Sequence, residues 1–100
     1  MPDQLPYTTD QLEAAERAAE MAEIAADETE AAAARAQRTA DAVATVYDKQ
    51  HPIRLESLDD LEYARRQAEV ARRGATEARD FYNAMLLAMA EWRRAHPPGQ

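Results

Sequence analysis

The sequence predicts an all-α fold: an antiparallel two-helix hairpin, an alanine-rich coiled coil that packs into an oligomeric helical bundle. Three observations predict it. Alanine, the strongest helix former, occupies 24 of the 100 positions, and only two are glycine. Proline is confined to positions 2, 6, 52, 97 and 98, so two long stretches run without a breaker. Within each stretch apolar residues recur at alternating steps of three and four, the spacing of a coiled-coil seam.

Taken in order, residues 1–9, with Pro2 and Pro6, read as an extended arm. A first helix is expected over residues 10–50, with Asp10 as N-cap and Glu13 three places on completing a capping box. A loop is expected over residues 51–57, around His51-Pro52. A second helix follows over residues 58–95, with Ser57 as N-cap and Asp59 and Asp60 in its first turn. Lys49 would close the first helix, and Arg93 and Arg94 the second, as the helix dipole favours. Residues 10–96 form the hairpin, and residues 97–100 a tail opened by Pro97-Pro98.

The seam residues of the first helix run from Leu12 through Ala15, Ala19, Ala22, Ala26, Thr29, Ala33, Ala36, Ala40 and Val43 to Tyr47. Those of the second run from Leu61 through Ala64, Ala68, Ala71, Ala75, Ala78, Tyr82, Met85 and Met89 to Trp92. Thr29 is the one polar member. Alanine fills the middle of both runs and larger residues their ends, so the axes can approach to about 8 Å.

In an antiparallel pair the e position, one residue after each d, faces the e position of the other helix. The first helix carries Glu16, Glu23, Glu30 and Gln37 there; the second carries Arg65, Arg72, Arg79, Leu86 and Arg93. Acid faces base, and the expected partners are Glu23 with Arg79 and Glu30 with Arg72. Arg65, Arg72, Arg79 and Arg93 thus form a basic edge that sets register and orientation. Glu62–Arg66 and Glu69–Arg73 are spaced as helical i,i+4 pairs. A domain-swapped pair with the loop opened would satisfy the same heptads.

Two surfaces remain. From Phe81 to Trp92 only Asn83 and Glu91 are polar, so this helix end needs cover on several sides. With Met21 and Ile24 of the first helix, residues Phe81, Met85, Leu86, Leu87, Met89 and Trp92 are the expected oligomer or partner interface, at the open end of the hairpin. Glu13, Glu16, Glu20, Glu23, Asp27 and Glu30 form an acidic face on the first helix.

Composition excludes much chemistry. There is no cysteine, hence no disulfide, thiolate metal site or cysteine nucleophile. The two histidines, His51 and His96, fall at opposite ends of a hairpin, and no Glu-x-x-His occurs. No enzyme activity, cofactor or metal is expected. The net charge of −7 argues against nucleic acid as a partner. That charge is uneven: residues 1–48 hold eleven acids and three bases, residues 49–100 eight acids and nine bases. No signal-peptide pattern or membrane-length apolar run is seen, and a cytoplasmic or particle-assembled protein is expected.

The expected function is therefore non-enzymatic: a structural or assembly protein that associates with itself or docks into a larger particle, such as a small virion or shell subunit. The alternative is an acidic regulatory module, a nucleic-acid mimic or an inhibitor of a basic partner.

Overall fold

A computed structural model describes residues 4–99; residues 1–3 of the expected arm and Gln100 of the tail lie outside the described part. Two helices, α1 (Thr9–Val46) and α2 (Pro52–Ala95), pack side by side as an antiparallel hairpin. The molecule is a rod of 76 × 17 × 15 Å. Its long dimension fits the roughly 66 Å that 44 helical residues span at 1.5 Å each.

Both helices start earlier than the sequence suggests, and for related reasons. Thr8, not Asp10, caps α1. Its hydroxyl accepts the Gln11 N–H at 3.1 Å, while the Gln11 side chain accepts the Thr8 N–H at 2.8 Å. That is a full capping box with glutamine in the reciprocal place. His51, not Ser57, caps α2: its Nδ1 accepts the Ile53 N–H at 3.2 Å. Pro52 then sits in the first turn, where its missing N–H costs nothing and its fixed φ suits the helix. What reads as a breaker is a starter.

The expected loop of residues 51–57 is accordingly displaced to residues 47–51. Asp48 O accepts from His51 N–H at 2.9 Å, and the Arg54 guanidinium donates to Tyr47 O at 3.2 Å. The Tyr47 and His51 rings lie 4.4 Å apart, so the turn is braced by side chains as well as backbone. Lys49 falls in this turn and closes no helix, and Asp59 and Asp60 lie beyond the first turn of α2. Arg93 and Arg94 do occupy the last turn of α2.

Ser57, freed from capping, extends the seam by one step. It is buried, and its hydroxyl donates to Arg54 O at 2.8 Å. Every one of the twenty-one seam residues read from the sequence is buried or half-buried. The tightest closure falls on alanine: Ala19 and Ala26 have no exposed surface and Ala75 has 1%. Thr29, the polar member, donates its hydroxyl to Ala25 O and Ala26 O at 3.1 and 2.9 Å, so it brings no unpaired group into the seam.

Candidate interaction surface

The two edges flanking the seam differ in kind. Along the e edge the expected ion pairs form. Arg79 reaches Glu23 at 2.5 Å and lies over the Tyr82 ring, 5.7 Å from its centre. Arg72 bridges Glu30 and, at 2.6 Å, Asp27. Arg65 donates to the Gln37 side chain. Each rung moves seven residues down one helix and seven up the other, so the ladder records the register directly. It places Leu12 level with Met89 and Leu61 level with Ala40 and Val43.

These contacts shift the titration of the groups that make them. The Arg79 guanidinium, hydrogen-bonded to Glu23, holds that carboxyl below its ordinary value; Arg72 does the same to Glu30. In return the carboxylates push both arginines up, and Glu20 and Glu16 add to the field on Arg79. Half of the expected acidic face is thus engaged within the chain: Glu23, Asp27 and Glu30 are bound to arginines. Glu13, Glu16 and Glu20 are exposed along the same side. On α2, Arg66 pairs with Glu62 at 2.5 Å, as its spacing predicts.

The opposite edge has no such ladder. Its g positions on α1 include Ala18, Ala25 and Ala32, and those on α2 include Gly74, Phe81 and Ala88. The neighbouring c positions add Met21 on α1 and Tyr63 and Val70 on α2. Large members of this edge are exposed, among them Met21 at 60%, Val46 at 73%, Tyr63 at 68%, Val70 at 61% and Phe81 at 61%. One broad side of the rod is therefore cross-linked by charge; the other, smooth side is mostly alanine and larger apolar residues, with Glu28, Arg35, Asp60, Glu77 and Glu91 as its exposed charges.

The expected interface divides across these surfaces. Met85 and Met89 are buried in the seam, so they belong to the hairpin itself. Trp92 is half-buried there, stacked on His96 at 4.2 Å, and among the described residues its buried Nε1–H finds no acceptor. Met21, Ile24, Phe81, Leu86 and Leu87 are exposed. Phe81 lies on the smooth edge. Leu86 is five residues on, about 140° round the helix, at the e rung where the next arginine of the ladder would fall. Ile24 and Leu87 point outward from the backs of the two helices. Tyr7 of the N-terminal arm reaches the same end, lining a shallow hollow with Gln11, Ala14, Phe81 and Met85.

Sequence reasoning missed the smooth edge because it followed the seam and its charged flank. The signal was there: the c and g positions, read as the e positions were, carry few charges.

The rod exposes 7467 Å². A compact monomer of 11.2 kDa exposes about 5,700 Å², so the hairpin leaves about 1,800 Å² more in water than its mass requires. Among the described residues, no helix is long and apolar enough to cross a membrane. No family model, curated protein or solved structure matches the chain, so the hairpin architecture and its two unlike sides are what bear on its role.

Proposed function

We propose that the chain is a non-enzymatic structural or assembly protein, one that associates with itself or docks into a larger particle through its exposed apolar surface. A small subunit of a virion or shell is an example of the class. The observation that carries this reading is the unspent surface at the open end: Met21, Ile24, Phe81, Leu86 and Leu87 stand 42–61% exposed around one end of a rod whose own seam is mostly alanine. These side chains face several directions, and a helix end that is apolar on several sides is normally covered by other elements. The indole N–H of Trp92, without an acceptor among the described residues, lies at the same end.

The alternative, an acidic module that captures a basic partner, has less support. Three of the six acids of its face are committed to arginines of α2.

The deciding experiment is the mass of the native protein by sedimentation across a concentration series. A multimer is expected. Replacing Phe81 and Leu87 together with Asp should lower the mass while leaving helix content intact. A monodisperse monomer at high micromolar concentration would remove self-association from the reading.

A further inference from the structure

We propose that a second copy of this hairpin covers the smooth edge, running antiparallel to the first, so that each helix lies along its own counterpart in a four-helix bundle. The inference rests on the assembly reading above and names the partner and the face.

Area comes first. A standard interface buries about 800 Å² on each partner, well within the roughly 1,800 Å² by which this rod exceeds a compact monomer. The alanine and glycine positions of the smooth edge let a second pair of helices approach closely, and Met21, Tyr63, Val70 and Phe81 supply side chains to bury.

Charge selects the occupant and its direction. On α1 the smooth side carries only two charges between Ala14 and Val46, Glu28 and Arg35, both exposed at successive c positions. They lie seven residues apart near the middle of the helix. A two-fold axis between them sets each Glu28 opposite the partner's Arg35, and each Arg35 opposite the partner's Glu28. A surface that complements itself under rotation is the mark of an isologous dimer. The parallel alternative lays α1 along the partner's α2 and brings Glu28 within about one turn of the partner's Glu77, like charge against like.

The second helix agrees. The ladder register places the same axis, to within about 2 Å along the rod, where Phe81 meets the partner's Tyr63 and Val70 meets the partner's Gly74. An aromatic pair forms at either end of the interface, and at its centre a branched side chain faces a residue that has none. Leu86, Leu87 and Ile24 stay outside this contact.

That exclusion supplies the test. In sedimentation, Val70→Glu should weaken the dimer at least ~30-fold, because a carboxylate is buried without a partner. Leu87→Asp should leave the dimer unchanged. Both variants should keep wild-type helix content, since both positions are exposed in the hairpin. The reverse result, with Leu87→Asp dissolving the oligomer and Val70→Glu not, would overturn this inference and leave the assembly reading standing. A native chain that stays monomeric overturns both. Direction is read by thiol cross-linking, which the absence of native cysteine makes clean. Oxidising a mixture of Glu28→Cys and Arg35→Cys chains should give a covalent dimer that neither variant gives alone. Efficient cross-linking of Glu28→Cys to Glu77→Cys chains instead would overturn the antiparallel arrangement.

Discussion

The two edges of the hairpin run over the same alanine seam and do opposite work. On the e edge three successive rungs, Gln37–Arg65, Glu30–Arg72 and Glu23–Arg79, tie α1 to α2 at one register. On the other edge alanine, glycine and exposed large apolar residues show, among the described residues, no cross-helix polar pair to set a register. Exposed ion pairs add little to stability but do penalise wrong alignments, so the charged edge serves specificity within the chain. The smooth edge has apolar area and no internal task. A hairpin with its cross-helix ion pairs on one side and its alanine and glycine positions on the other is polarised across its width as well as along its length.

The seam beneath both edges is where a change is expected to cost most. Ala26 has no exposed surface and Ala75 only 1%, so a larger side chain at either place has no room. Ala26→Leu or Ala75→Leu should destabilise the hairpin by about 1–3 kcal/mol through forced separation of the axes. Thermal unfolding checks this: each kcal/mol is about 4–8 °C in Tm for a chain near this size. A similar enlargement at exposed Ala18, on the smooth edge, should leave monomer stability nearly unchanged. An equal loss at both sites would mean that the smooth edge is packed within the chain.

Next in size is the charged edge. Arg72 bridges both Asp27 and Glu30, so Arg72→Gln removes more of the ladder than any other single change. A fall of a few degrees in Tm is expected at low salt. The deficit should shrink in 1 M salt, where the Debye length is about 3 Å. A deficit insensitive to salt would assign the loss to packing of the arginine stem instead.

Acid should loosen the same edge, with a defined sign. Glu23 and Glu30 titrate below their ordinary value in the folded hairpin because Arg79 and Arg72 hold them ionised. The unfolded chain therefore binds protons more readily than the folded one. The stabilisation is full above the ordinary carboxylate range and is lost as the pH falls through the lowered folded values. Urea midpoints measured between neutral pH and pH 3 should fall for the wild type and fall less for Glu23→Gln/Glu30→Gln. Parallel curves for the two proteins would place the acid sensitivity elsewhere.

Much of this was legible from residue spacing. The seam follows from a three-four repeat that only a helix pair can use, and the e-edge partners follow from the antiparallel direction alone. The caps were misjudged because the same residue types serve several places. Asp10 and Ser57 resemble caps, but Thr8 stands two residues before the one and His51 six before the other, and Pro52 starts a helix as readily as it stops one. The apolar run also groups residues that the fold sends in different directions. Phe81–Trp92 is apolar along the chain, whereas contact depends on direction around the helix. Met85 and Met89 turn into the seam, Phe81 turns to the smooth edge, and Leu86 and Leu87 turn elsewhere.

Gly74 gives the smallest effect and the sharpest separation of the two edges. It sits in the middle of α2 on the smooth edge, and a Cβ added there would meet nothing within 4 Å. Gly74→Ala should therefore stabilise the isolated hairpin by about 1 kcal/mol, by lowering the backbone entropy lost on helix formation. Association should respond in the opposite sense if a second copy brings Val70 against this position, because the added methyl occupies the space that Val70 would enter. Denaturation at a concentration low enough to hold the chain monomeric reads the first effect; sedimentation at high concentration reads the second. No seam substitution can divide folding from association in this way, since the seam serves both. A variant more stable alone and weaker in association would place the intermolecular contact on the smooth edge. Gain in both, or in neither, would return Gly74 to the solvent.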